Sequence, residues 1–217
     1  MLEVLDAPSV PALSFWALQA SFDDRGRHGG AGHLGLQWHP EHPGSTAVNW
    51  GGYGPEGREL DGSTSALPSA LGNVNTRDLA WSVGTRYRLR IVRDDEPAPP
   101  PPAGYVGWRG EVTDLTTGTA IVVRDLWAVG TALGAPVMWS EVFARCDDPP
   151  ARVRWSDLRM VDDAGSATEV ARVQVNYQSL HDGGCVTTDS AVDQVGVVQT
   201  TGTTRRTPQG AVLSLPA

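Results

Sequence analysis

The segment VMWSEVFARC, from Val137 to Cys146, places one carboxylate between two aromatic side chains at strand spacing. Successive side chains of an extended chain point to opposite faces, so Trp139, Glu141 and Phe143 share one side. Aromatic rings stack on the apolar faces of sugars, and a carboxylate accepts hydrogen bonds from sugar hydroxyls. The segment therefore predicts a sugar-binding groove. The alternative is an ordinary sheet packed under a loop.

Two polar side chains from other segments are predicted to join this surface. Gln37 lies in GHLGLQWHP, on the face opposite Leu34 and Leu36, and Arg109 lies in YVGWRGEVTD. Neither can be shown from sequence alone to neighbour Trp139, because strand adjacency is a tertiary property. The predicted ligand-binding set is Trp139, Glu141, Phe143, Gln37 and Arg109.

Catalysis by paired carboxylates is the alternative interpretation. Glu111 and Glu141 are the two glutamates central to predicted strands, and a retaining glycosidase needs its two carboxyl groups about 5 Å apart. The competing interpretation is that Arg109 and Arg145 pair with these carboxylates on a solvated sheet. There is no Gly-x-Ser-x-Gly elbow, and a phosphate loop is excluded because the chain has no lysine. We predict a site without catalytic residues.

Metal chemistry has weak support in the sequence. His39 and His42 have the spacing of a helical zinc pair, but Pro40 and Pro43 disfavour a helix there. No metal site and no cofactor is predicted. Calcium is the alternative, because paired aspartates recur in turns such as FDDRG and CDDPP, although aspartate is also a preferred turn residue.

Composition limits the partners. The chain of 217 residues carries 17 basic and 25 acidic residues, every basic one is arginine, and the longest basic run is Arg205-Arg206. A nucleic-acid partner is therefore not expected.

No apolar run approaches the roughly 20 residues of a spanning helix, and no basic start precedes an apolar segment. We expect neither a membrane anchor nor a signal peptide, and a secreted and a cytoplasmic location both stay open.

The two cysteines, Cys146 and Cys185, leave two alternatives. They could form a disulfide, or they could be two buried thiols, since free cysteine is among the most buried residue types.

Short alternating segments dominate the chain, and no window shows a sustained helical period. In TRYRLRIVR the side chains of Tyr87, Leu89 and Ile91 alternate with three arginines, and LTTGT with Gly118 joins two strands as a hairpin. About ten strands are expected, which favours an all-β, two-sheet antiparallel sandwich. We predict a single domain over residues 1–217, with an exposed Pro-rich loop at 94–104 and a long loop at 51–78.

The order YRLRIVRD, GWRGEVTDLTTGTAIVVRDLWA and VMWSEVFARC followed by VRWSDLRMV resembles the consecutive strands of concanavalin A-like jelly rolls. Bacterial domains of unknown function in that superfamily are the nearest in pattern. The resemblance implies a jelly-roll fold and a concave, ligand-bearing sheet. The Glu-x-Asp-x-Glu run of many glycosidases in that superfamily is missing.

Together these observations predict a non-catalytic glycan-binding module whose partner is a glycan or a glycan-bearing molecule. The alternatives are a glycoside hydrolase or polysaccharide lyase using Glu111 and Glu141, or a protein-interaction domain using the long loop.

Overall fold

A computed structural model describes residues 1–216. Within them the chain forms sixteen β-strands and three single-turn 3-10 segments. The chain divides into two compact units. The central unit comprises Leu13–Trp81 and Tyr87–Glu141, and the terminal unit comprises Met1–Ala12, Ser82–Arg86 and the chain from Val142 onward. The prediction of one domain over residues 1–217 stays a prediction.

The central unit is a sandwich of antiparallel strands. Its strands are β2 (Ser14–Asp24), β3 (Arg27–Trp38), β4 (Thr46–Tyr53), β5 (Thr76–Asp78), β6 (Arg86–Asp94), β7 (Val106–Asp114), β8 (Ala120–Ala128) and β9 (Ala132–Val142). One sheet has the order β5-β4-β3-β2-β9, and β6, β7 and β8 are consecutive neighbours in the opposing sheet. The prediction of an all-β, two-sheet sandwich of jelly-roll type is confirmed.

Aromatic side chains from both sheets fill the core of this sandwich. Phe22 stacks on Trp108 with ring centroids 5.4 Å apart, and the indole N–H of Trp50 donates to the Trp108 carbonyl at 3.1 Å. Gly110 makes room for this packing, because a Cβ there would lie 2.6 Å from Trp50 Cγ. The glycine on β7 therefore lets the two sheets approach around a tryptophan.

The alternation read from the sequence holds on β6 and β7. Tyr87, Leu89 and Ile91 are buried and face the core, while Arg88 between them is exposed. The β7–β8 hairpin turns at Gly118, whose φ of 75° lies in the left-handed region that favours glycine.

The terminal unit contains the remaining strands. They are β1 (Leu2–Asp6), β10 (Arg152–Trp155), β11 (Arg159–Val161), β12 (Ala167–Glu169), β13 (Arg172–Gln174), β14 (Thr188–Val192), β15 (Val197–Thr201) and β16 (Val212–Ser214). Strand β10 pairs with β1 on one side and β15 on the other, and Leu2, Val153 and Trp155 are buried between them. A disulfide joins Cys146 to Cys185, with 5.4 Å between their Cα atoms.

Two segment boundaries differ from the sequence prediction. Strand β9 ends at Val142, so the predicted strand to Cys146 is too long. The chain turns there because the Arg145 N–H donates to the Asp148 carboxylate at 2.7 Å. The long loop is shorter than predicted, since β4 extends to Tyr53 and β5 begins at Thr76, which leaves a loop at 54–75.

Among the described residues, no helix has the length and apolar character that a membrane span requires.

Candidate functional site

The outer face of the five-stranded sheet, meaning the face turned away from the sandwich core, gathers polar and aromatic side chains. In register, Phe15 is opposite Gln37 and Gln19 is opposite His33 on strands β2 and β3. Strand β9 is the neighbour of β2 on its other side. Core residues such as Phe22 and Trp50 occupy the opposite face of the same strands, so strand alternation sends these side chains outward.

Four rings on this face form an aromatic cluster, made of Phe15, His33, Tyr53 and Trp139. Phe15 and Trp139 meet edge to face with centroids 4.9 Å apart, and His33 lies 5.7 Å from Phe15 and 5.9 Å from Trp139. Burial lowers the pKa of His33 from 6.5 to about 4, so the imidazole is neutral near pH 7. The cluster is therefore an uncharged aromatic surface in neutral solution.

A hydrogen bond fixes one amide beside this cluster. The indole N–H of Trp139 donates to Gln19 Oε1 at 3.2 Å. Because the amide oxygen is the acceptor, the NH₂ group of Gln19 stays available as a donor on the same face. Gln19 is not among the residues predicted from the sequence to bind a ligand. The signal that could have found it is the alternation in its segment, where the apolar Trp16, Leu18, Ala20 and Phe22 share one face and Gln19 lies on the other.

Glu141 follows Trp139 by two positions on β9, on the same face. It is exposed, and within residues 1–216 no arginine or histidine forms an ion pair with it. Partial burial of its carboxyl raises the pKa of Glu141 above its ordinary value. A carboxyl with a raised pKa and no cationic partner holds its proton to a higher pH than an ordinary glutamate, which is a property of groups that give and accept protons in catalysis.

The predicted carboxylate pair does not exist in this fold. Glu111 lies on β7 of the opposing sheet, on the face opposite the inward Gly110, and it pairs with Arg90 at 3.3 Å. Glu111 and Glu141 therefore point to opposite surfaces of the sandwich. The interpretation as a two-carboxylate glycoside hydrolase is wrong for this pair, since two sheets separate the carboxyl groups.

Arg109 is also turned away from the predicted groove. It lies on the same face of β7 as Glu111, donates to the Asp125 carboxylate at 3.0 Å and pairs with Asp94. The hydrogen bond to Asp125 is the main cause of the raised pKa of Arg109. Its guanidinium therefore connects β7 to Asp94 on β6 and to Asp125 on β8.

The other two predicted ligand-binding residues are also placed differently. Phe143 lies beyond the end of β9 and is 62% exposed, so it does not share the strand face of Trp139 and Glu141. Gln37 does lie on the outer face, opposite Phe15, but it is only 6% exposed. Of the predicted set, Trp139, Glu141 and Gln37 share this face.

The histidines near residue 40 do not make a metal centre. The His39 and His42 rings are 5.5 Å apart, and His42 is buried with neither ring nitrogen hydrogen-bonded. Burial is the main cause of the lowered pKa of His42. Across residues 1–216 no three histidine, cysteine, aspartate or glutamate side chains converge in a way that could hold a metal ion.

A shallow depression of about 470 Å³ lies beside the Pro-rich loop. Two of its three acidic lining residues are ion-paired, because Asp94 pairs with Arg109 and Asp95 accepts from Arg93 at 2.9 Å. The third acidic residue of the lining is Glu96.

Comparison with known proteins identified no matching family model and no matching curated protein. Among solved structures, aspergilloglutamic peptidase from Aspergillus niger is similar at 12% identity and a TM-score of 0.46, with 86% of this chain and 98% of that chain covered. Scytalido-glutamic peptidase with a peptide-based transition state analogue is similar at 12% identity and a TM-score of 0.41, covering 92% and 96%. Likeness at this level assigns no activity to this chain.

The prediction of a non-catalytic glycan-binding module is contradicted. The structure separates the predicted sugar-binding residues, because Arg109 lies on the opposite surface and Phe143 lies outside the strand.

Proposed function

We propose that this chain is a hydrolase of peptide bonds, with Glu141 as its general acid and base. The observation that carries the proposal is the Glu141 carboxyl itself, which is exposed on the outer face, has no ion-pair partner among residues 1–216, and has a raised pKa. A group that changes protonation state during a reaction works best when its pKa lies near the operating pH.

The number of carboxylates favours an amide substrate over a glycoside. Asp78 is on the same face but on β5, four strand spacings from β9 or about 19 Å away. Asp23 adjoins Gly134 on β9, seven residues or about 23 Å from Glu141 along the strand. Glycosidases of either stereochemistry need two carboxyl groups within about 10 Å. Neither Asp78 nor Asp23 is therefore such a partner for Glu141.

Strand geometry favours an extended peptide as the substrate. Trp139 and Glu141 are two residues apart on β9, which is a separation of about 7 Å in a strand. An extended peptide has the same repeat, so a peptide laid along β9 would place one apolar side chain on the aromatic cluster and a peptide bond near Glu141. The free NH₂ group of Gln19 would bind a carbonyl of the same peptide.

The chemistry requires only water and one carboxyl. The Glu141 carboxylate takes a proton from a water molecule, whose oxygen attacks the peptide carbonyl carbon. The protonated carboxyl then gives that proton to the leaving nitrogen as the carbon–nitrogen bond breaks, which restores the carboxylate. The products are a carboxylic acid and an amine.

The test compares wild type with Glu141→Gln on unfolded, reduced casein, with cleavage followed by mass spectrometry from pH 3 to pH 8. We expect cleavage by wild type and a loss of about 100-fold or more in the variant, the usual size of a general acid–base contribution. Glu111→Gln is the matched control, because it removes a glutamate on the opposite surface and should leave cleavage unchanged. Absence of cleavage by wild type, or equal cleavage by Glu141→Gln, would refute the proposal.

The finer family assignment is part of the same proposal. We propose that the chain is a bacterial member of the concanavalin A-like superfamily. The support for this is the strand pattern from YRLRIVRD to VRWSDLRMV. The expectations of no cofactor, with calcium as the alternative, and of no nucleic-acid or membrane partner stay predictions.

A further inference from the structure

Two arginines are buried in the central unit without a counter-ion. Arg77 on β5 is 9% exposed and Arg124 on β8 is 3% exposed. Within residues 1–216 neither forms a salt bridge. Buried charges in proteins are normally paired or hydrogen-bonded, because transfer of an unpaired ion out of water is costly.

Both guanidinium groups have an unsatisfied donor. The Nε–H groups of Arg77 and Arg124 are buried and have no acceptor in the structure. Arg124 uses Nη1 to donate to the Val74 carbonyl at 3.1 Å and to Asn75 Oδ1 at 3.2 Å, and both acceptors are neutral. An orphaned donor on a charged group costs more than one on a neutral group.

The two side chains point toward the same interior. Arg77 is opposite the core residue Val48 on β4, and Arg124 is opposite the core-facing Gly110 on β7. The loop at 54–75 is hydrogen-bonded to both strands, because the Ser63 N–H donates to the Asp125 carbonyl and the Asp78 N–H to the Pro68 carbonyl, each at 2.9 Å. The loop therefore spans the edge of the sandwich between the two arginines.

The electrostatics of Arg124 agree with this placement. Burial and then the charge of Arg77 lower the pKa of Arg124, and Asp61, Asp125 and Glu59 offset this only in part. Glu59 and Asp61 are exposed, and the Asp125 carboxylate is bound to Arg109. In the part of the chain that the structure describes, no carboxylate forms an ion pair with either guanidinium group.

We propose that Arg77 and Arg124 together bind one small oxyanion, phosphate or sulfate, beneath the 54–75 loop. Guanidinium groups match tetrahedral oxyanions with paired N–H donors, and the two orphaned Nε–H groups would gain acceptors of opposite charge. The site is separate from Glu141 and does not depend on the proposed hydrolysis.

The first experiment measures thermal unfolding of the full chain after it has been unfolded, desalted and refolded, so that no anion is carried over. The melting temperature is compared in sodium phosphate, sodium sulfate and sodium chloride at equal ionic strength and pH. At phosphate 100-fold above Kd, we expect a rise of about 5–10 °C over chloride for a chain of this length. Equal melting temperatures in all three salts would overturn the proposal and would mean that buried water satisfies the two donors.

Variants then locate the site. Arg77→Gln should remove the phosphate-dependent rise, while Arg88→Gln, which deletes the same charge from an exposed position on β6, should keep it in full. In chloride alone, Arg77→Gln should melt no lower than wild type, because it removes an uncompensated buried charge. A phosphate-dependent rise in melting temperature that persists in Arg77→Gln would also overturn the proposal. The test therefore does not depend on whether a variant at the more deeply buried Arg124 can fold.

Discussion

Removal of the disulfide should destabilise the protein by several kcal/mol. Cys146 and Cys185 are separated by 39 residues, and the chain-entropy relation for a closed loop of that size gives about 4 kcal/mol at 25 °C. The contacts of the folded state near the bridge do not need the sulfur atoms. The Arg205 guanidinium donates to the Cys185 carbonyl and to Thr188 Oγ1, the latter at 3.0 Å, and neither acceptor is a sulfur atom.

The assay is urea denaturation of wild type and of the double variant Cys146→Ala, Cys185→Ala, fitted for the free energy of unfolding. Total stabilities of single domains are about 5–15 kcal/mol. A loss of about 4 kcal/mol should therefore lower the urea concentration at the midpoint of unfolding by more than a third of its value over most of that range. Alkylation before and after reduction, both in denaturant, verifies the bridge in wild type by the change in mass.

Hydrogen exchange gives a second readout for the same variant. Cys185 lies just before β14, so faster exchange is expected in β14 and in its partner β15. If the double variant lost less than about 1 kcal/mol, the bridge would not be constraining the unfolded chain and the entropic reasoning would be refuted.

Three further substitutions test the central unit. Gly110→Ala should destabilise by about 1–3 kcal/mol in urea denaturation, because its Cβ would collide with the ring of Trp50, which cannot move in a packed core. Trp139→Ala should lower the free energy of unfolding by about 2 kcal/mol in the same measurement. This is less than for a fully buried tryptophan because the ring is half-buried, and it includes the loss of the hydrogen bond to Gln19. The pKa of His33 is lowered from 6.5 to about 4 in the folded state, so the unfolded chain takes up the proton first. Stability is therefore complete above pH 6.5 and falls as the pH drops toward 4, by up to about 3 kcal/mol, and His33→Phe should flatten this dependence in unfolding measured between pH 4 and pH 8.

Much of the sandwich could be predicted because its signal is local. The alternation of apolar and charged residues in TRYRLRIVR depends only on which face of the strand is exposed to solvent. The positive φ at Gly118 follows from the turn that joins β7 to β8. The end of β9 could not be predicted in the same way. Alternation continues through Phe143 in the sequence, but the chain turns there because Asp148 accepts the Arg145 N–H.

The candidate site was only partly predictable. Trp139 and Glu141 share a face because they are two residues apart on one strand, which is a consequence of strand geometry alone. Gln19 could not be joined to them, since its distance from Trp139 in sequence is 120 residues and the contact exists only because β9 is the neighbour of β2. Arg109 was assigned to the wrong surface for the same reason.

The sequence by itself determined that this chain forms short antiparallel strands, which side of each strand is apolar, and which residues of one strand act together. The tertiary structure alone decided which strands are neighbours and which sheet each belongs to. That is why Glu111 and Glu141 face opposite surfaces, and why Arg77 and Arg124, 47 residues apart in the chain, are buried toward the same interior. Side-chain direction follows from the local backbone period, whereas the neighbour of a strand depends on contacts between distant segments, and no local pattern encodes them.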